Sequence, residues 1–214
     1  PWDMTALDGN RQAVLFVTNV LNGTVAANGA VVNRGTVLRL NLRVSAATMP
    51  KLESITVIGS GFAEHSDPAA LVVGPTGVGL RSDCGSADDC AEQGEDEGGS
   101  TLYVADTVNN RVASIDNPIG RSHSAGMGHT LSAGGTLNAP LGLIVTPGGE
   151  ILTVNGGDGL ITEISPGGRQ VAHATLESGG APAVAGTLFG LVFDPRHGLY
   201  YVDDGANMLN LLHR

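Results

Sequence analysis

Residues 103–112 read YVADTVNNRV, and blurred copies return as FVTNVLNGTV (16–25), LTVNGGDGLI (152–161) and YVDDGANMLN (201–210). A strand-forming stretch that recurs along a chain restricts it to architectures built by stacking one supersecondary unit. The fourth position of the copies holds Asn19, Asp106, Asn155 and Asp204; the seventh holds Asn22, Asn109, Asp158 and Asn207. Successive fourth positions lie 87, 49 and 49 residues apart. Propeller blades of four strands take ~40–50 residues each.

A second marker precedes each copy. PTGVGL (75–80), PLGLIV (140–145) and TLFGLVF (187–193) place a Gly ahead of an alternating apolar run, and PWDMTAL (1–7) is a degenerate version with Asp3 at the Gly position. Tight turns follow at Thr146-Pro147-Gly148-Gly149, Asp194-Pro195-Arg196-His197-Gly198 and Leu7-Asp8-Gly9-Asn10. Proline presets φ and glycine accepts positive φ, which is what a turn between strands requires. In the third unit the period-two alternation predicts strands at about 141–146, 150–155, 159–164 and 170–176. No helical periodicity of comparable length is present. The expected fold is an all-β propeller of four-stranded antiparallel blades, with units at about 1–66, 67–137, 138–185 and 186–214 and an acidic insertion at 82–99. Only Met208 to Arg214 follow Asn207, room for a third strand but no fourth. An open propeller exposes unpaired edges, which proteins avoid; the expectation is that these units belong to a longer protein with a six-bladed ring.

"LYVADTVNNRV" at 102–112 and "LNAPLGLIVTPGGEILTVN" at 137–155 resemble the NHL-repeat class of β-propellers, with the second unit the best match. "PWDMTALDG", "LFVTNVLNGTV" and "AGTLFGLVFDP" are similar to an exported bacterial group of NHL-repeat-containing propellers. The resemblance implies a fold and a secreted or periplasmic location; it implies little about function. The third unit departs from the motif with Asn155-Gly156-Gly157-Asp158, and the first carries Asn19 in place of Asp.

Glycine supplies 32 of 214 residues, about twice the usual ~7%, in keeping with many tight turns. The net charge of −10 is concentrated in SDCGSADDCAEQGEDEGG (82–99), which holds Asp83, Asp88, Asp89, Glu92, Glu95, Asp96 and Glu97 and no Lys or Arg. Phosphate binding needs Lys and Arg; one lysine and scattered arginines form no basic patch, so nucleic acid is not an expected partner. No apolar run approaches the ~20 residues that span a bilayer as a helix. Cys84 and Cys90 lie inside the acidic segment. Their spacing permits a small disulfide loop, which suits an exported protein, or two thiols in a mobile loop; it is not a zinc signature.

Two candidate sites follow. Asn19, Asp106, Asn155 and Asp204 fall where second strands hand over to third strands, so they could share one rim. Their oxygens suit Ca²⁺ or Mg²⁺, but the same side chains serve turn geometry by hydrogen-bonding local backbone. Asp83, Asp88, Asp89 and Glu92 could collect Ca²⁺, with Cys84–Cys90 stiffening the loop, although the EF-hand order is absent and acid runs are commonly solvated. The six histidines form no recognised ligand pair. The leading functional expectation is a non-catalytic exported propeller that presents a face or rim to a protein, glycan or small-molecule ligand. The alternative is a propeller-type lyase or lactone hydrolase with an axial divalent metal, and a third is a component of a cell-envelope assembly.

Overall fold

The computed structural model describes residues 1–68, 70–93, 99–179 and 183–213. Among the described residues, sixteen strands fall into four antiparallel sheets arranged as propeller blades. The first sheet orders β1 (Met4–Leu7), β2 (Gln12–Asn19), β3 (Val32–Ser45), β4 (Thr48–Asp67) and β5 (Leu71–Val73). The second orders β6 (Pro75–Arg81), β7 (Thr101–Asp106), β8 (Arg111–Asp116) and β9 (His129–Ala133). The third orders β10 (Pro140–Val145), β11 (Ile151–Asn155), β12 (Leu160–Ile164) and β13 (Gln170–Thr175), within a residue or so of the expected bounds. The fourth has three strands, β14 (Leu188–Asp194), β15 (Gly198–Asp203) and β16 (Met208–His213).

Each sheet packs face to face on the next. Phe16, Val37, Ile58 and Phe62 of the first sheet bury against Leu102, Val104 and Ile115 of the second. Tyr103 and Val112 continue onto Leu143, Ile151 and Ile164 of the third, and Val154 and Ile161 onto Leu188 and Leu199 of the fourth. The alternation of strands makes this possible: one row of side chains faces back and the other forward.

The innermost strands β1, β6, β10 and β14 lie side by side in succession. Their markers explain how. Register shifts fall between Pro75 and Val78, Pro140 and Leu143, and Leu188 and Leu191, so the Gly of each marker sits at a bulge. There a methyl group on Gly77 would lie 2.3 Å from the Leu141 carbonyl oxygen, and one on Gly142 only 1.8 Å from that of Phe189. Backbone meets backbone between neighbouring blades, and only glycine leaves room. Buried hydroxyls join the same seam: Thr18 Oγ1 donates to the Thr76 carbonyl (2.6 Å), Thr76 and Thr107 share a 2.7 Å bond, and Thr107 Oγ1 donates to the Pro140 carbonyl at 2.7 Å.

Two features depart from the sequence expectation. The β3–β4 hairpin runs for 14 and 20 residues, well beyond an ordinary blade, and β5 extends the first sheet to Val73. The acidic insertion is partly helical: α1 (Ala87–Gln93) starts at Ser86, whose Oγ accepts the Asp89 amide at 3.2 Å and donates to Asp89 Oδ2 at 2.8 Å. That is an N-cap with acids in the first turn. Cys84 and Cys90 are joined as a disulfide that ties α1 to the preceding loop, with Cα atoms 5.4 Å apart.

Candidate functional site

Register places Asp106 opposite Pro75 and Asn155 opposite Pro140, at the ends of the second strands. Met4 faces Val17 as Val78 faces Val104, so Asn19 stands at the same level in the first blade. In the fourth blade the equivalent residue is Asp203, which faces Leu188; Asp204 is one residue further on and exposed. The repeat is therefore one residue out of phase there. Asn207 likewise matches Asn110 rather than Asn109: both hold φ near 50° (55° and 52°), and Gly159 does the same work at 75°.

Asp106, Asn155 and Asp203 are engaged by their own turns, and Asn155 also by the connection that precedes its blade. Asp106 is fully buried, accepts two bonds from Asn109 Nδ2 (3.0 and 2.9 Å) and forms a 2.8 Å ion pair with Arg111 Nε. Arg111 continues to Thr130 Oγ1 and the Met127 carbonyl. Asn155 reverses the polarity: its Nδ2 donates to Asp158 Oδ1 at 3.0 Å and to the Thr136 carbonyl at 2.7 Å, while its Oδ1 is buried without a partner among the described residues. Asp203 accepts the Ala206 amide at 2.9 Å. Asn19 Nδ2 is buried without a described partner, next to a turn of different shape in which Leu21 and Gly23 take φ of 82° and 114°.

Near two of these positions lie carboxyls whose importance was not read from the sequence. Glu64, on β4, is fully buried, and burial raises its pKa although the amides of Asn22 and Leu21 and the charge of Arg34 pull the other way. Glu177 has its pKa raised, by desolvation first and then by the neighbouring Asp203 carboxylate; Tyr201 is raised by burial and by both carboxylates. No repeat position predicts either residue, because each lies where one blade hands over to the next.

A cavity of about 550 Å³ lies between the inner strands. Its lining mixes the apolar side chains of Leu80, Ile144, Leu191 and Phe193 with polar groups that include Asp3 and Arg81. Asp3 stands at the Gly position of the first marker. Its Oδ2 accepts the Val78 amide of the next inner strand at 3.0 Å, its Oδ1 accepts Met4 N at 2.8 Å, and burial raises its pKa. The rings of Trp2 and Phe189 stack with centroids 6.3 Å apart, linking the chain before β1 to β14.

In the insertion, Asp88 accepts the amides of Asn10 (2.7 Å) and Arg11 (3.1 Å), Asp89 Oδ2 accepts the hydroxyl of Ser86, the residue that caps α1, and Asp83 is exposed. The side chain of Glu92, with residues 94–98, lies outside the described residues. Among the described residues no three His, Cys, Asp or Glu side chains come together to hold an ion. At the rim, Asp106 carries an arginine countercharge and Asn155 turns its amide nitrogen toward Asp158, leaving its Oδ1 without a described partner.

No family profile matches the chain, and no curated protein matches it either. Among solved structures, a gluconolactonase from Xanthomonas campestris is 14% identical with a TM-score of 0.48, covering 89% of this chain and 50% of that one. A virginiamycin B lyase from Staphylococcus aureus, solved with quinupristin, is 9% identical with a TM-score of 0.45, covering 99% and 89%. A chain of a nidogen/laminin complex is 13% identical with a TM-score of 0.37, covering 99% and 89%. The chain spans about half the length of the gluconolactonase structures it matches. Likeness at this identity is likeness of fold alone. No helix among the described residues is long and apolar enough to cross a membrane.

Proposed function

We propose that the chain is a non-catalytic, exported propeller scaffold that binds a protein, glycan or small-molecule partner, with the axial space as its ligand-facing surface. The observation that carries this reading is the Asp106–Arg111–Asn109 arrangement, repeated with reversed polarity at Asn155–Asp158. Asp106, the rim carboxylate at the best-formed turn, is spent on its own turn, which leaves the cavity between the inner strands as the ligand-facing surface. Pockets of this kind bind by apolar contact with a few polar groups fixing orientation; here those groups are Asp3 and Arg81. The disulfide supports a secreted or periplasmic location. Thermal unfolding with EDTA and with millimolar Ca²⁺ tests the reading. The expected result is one melting temperature in both; a rise of several degrees with Ca²⁺ that is abolished in Asp106→Asn would overturn it.

A second reading, a propeller-type lyase or lactone hydrolase, is favoured by one feature. Glu177 and Asp203 are adjacent carboxyls beside Tyr201, and perturbed pKa values of this kind mark proton donors at functional sites. Turnover of simple lactones that falls at least 100-fold in Glu177→Gln would establish it, and absence of turnover would remove it.

A further inference from the structure

The acidic insertion joins β6 to β7, at the end of the blades opposite the Asp/Asn turns. It is fastened to both blades there. Cys84, just after β6, is bonded to Cys90 on α1. From the first blade, the Asp8 carbonyl accepts the Ala87 amide at 2.9 Å, and Asp88 takes the amides of Asn10 and Arg11. Against the insertion, between the two blades, lies a cavity of about 280 Å³. Small-molecule pockets begin near that size, at ~300 Å³.

The long β3–β4 hairpin supplies the facing wall. Successive side chains of a strand point to opposite faces, yet Glu53 and Ser54 both line the cavity. A register shift allows this: Asn41 pairs with Ser54 and Leu42 with Leu52, so Glu53 is an extra residue in β4. Bulges re-aim side chains in this way beside sites. Asn41 Nδ2 donates to Ser54 Oγ at 2.9 Å, and neither the Asn41 carbonyl oxygen nor the Ser54 proton has a partner among the described residues. The Gln12 side chain lines the same space and makes no hydrogen bond among those residues. Ser100, only 2% exposed, accepts the Asp83 amide at 3.4 Å and has no described acceptor for its own proton.

Val14, Ile119 and the disulfide give the cavity an apolar side. Among the described residues one charged side chain lines it, Glu53, and Arg43 pairs with that carboxylate. An anion would find no lysine or arginine in the lining, and a single paired carboxylate is too little for a metal ion. What remains is a set of neutral donors and acceptors facing an apolar wall. That pattern suits a molecule carrying hydroxyls on one side and C–H groups on the other. We infer that this cavity is a second binding site, which takes an uncharged, hydroxyl-rich molecule the size of one sugar ring. None of its lining residues is shared with the axial space, so the inference does not depend on what that space binds. A free sugar and the end of a glycan offer the same chemistry, and the test separates them.

The test is titration of the oxidised 214-residue chain with glucose, galactose, N-acetylglucosamine and their methyl glycosides, followed by amide NMR. At least one sugar should shift the side-chain amide signals of Gln12 and Asn41, with a Kd on the order of 1 mM. Inorganic phosphate should shift neither. Ala91 is exposed and lines the cavity, so Ala91→Phe fills the space from outside the core and should weaken binding by roughly tenfold or more. Asn41→Ala should weaken it by about tenfold through a lost hydrogen bond. Equal binding of the methyl glycoside assigns the site to a glycan end, and its loss assigns it to a free sugar. Silence toward every sugar at ~50 mM, well above that constant, overturns the inference, as does binding that both variants leave unchanged. Shifts at Ile144 and Leu191 instead would overturn it and leave the axial reading standing.

Discussion

Asp106 and Asn155 sit at one structural level in adjacent blades and close the same turn with inverted chemistry. Asp106 accepts from the amide three residues on, whereas Asn155 donates to a carboxylate three residues on. The turn needs one donor and one acceptor in contact, and it is indifferent to which residue supplies which. That indifference is why the repeat is blurred, and why its alignment slips by one at Asp203-Asp204, where either carboxylate looks suitable in sequence. Burial separates them: Asp203 is buried and Asp204 is not. Asp106→Ala removes the fully buried partner of the half-buried Arg111 and should cost about 3 kcal/mol, measured by urea denaturation; Asp204→Ala should stay within about 0.5 kcal/mol. Equal effects would show that the two positions are not distinguished as described. Glu64 gives a pH prediction. Its raised pKa means the folded state holds the proton more tightly than the unfolded one, so its contribution is present below the unfolded value and lost as pH rises through the folded value. Glu64→Gln should therefore melt higher than the parent at pH 7, with the difference closing toward pH 4. A variant that is equally destabilised at both values would show that the carboxyl is held ionised by the Leu21 and Asn22 amides.

At the scale of the element, strand order and the third-blade boundaries were legible because alternation and Pro-Gly turns coincide there. The long hairpin β3–β4 was not, since it has no repeat marker and its register shifts at Val37/Leu38 and Asn41/Leu42 place extra residues in β4, where they interrupt the alternation. Helix α1 was hidden by its seven residues, too few to show helical periodicity, although Ser86 followed three residues later by Asp89 is a start signal of the capping kind. The marker glycines were recognised as turns or strand entries; their function as contact points between blades becomes visible only when inner strands are placed side by side. A substitution series makes the point measurable. Gly77→Ala and Gly142→Ala should each lose about 3 kcal/mol or fail to fold, because the methyl group meets backbone that cannot yield. Gly190→Ala should be tolerated in this chain, with a melting temperature within about 2 °C of the parent, given only Val202 at van der Waals distance. If Gly190→Ala were as damaging as Gly142→Ala, the fourth inner strand would have a neighbour that the fold described above does not give it.

Stability across the whole molecule should follow the packing of its blades. The second and third sheets are covered on both faces, and Leu102, Val104, Ile115, Ile151 and Ile164 are among their fully buried residues. The fourth packs on the third through one face, has three strands among the described residues, and leaves Met208, Leu209 and Leu212 exposed. Local opening draws on the elements with least buried apolar contact, so the array should loosen from the fourth blade inward rather than from the disulfide-tied insertion. Native-state hydrogen exchange on the isolated 214-residue chain should find β15 and β16 exchanging through openings well below the global unfolding free energy. Amides of β7, β8 and β11 should exchange only through global unfolding. The first blade belongs between these limits: its back is exposed, but the β3–β4 hairpin gives its backbone an unusually long ladder. Protection in β16 equal to that in β7 would mean that the open face contributes no weakness, and that the single packed face of the fourth sheet is sufficient by itself to hold it in place.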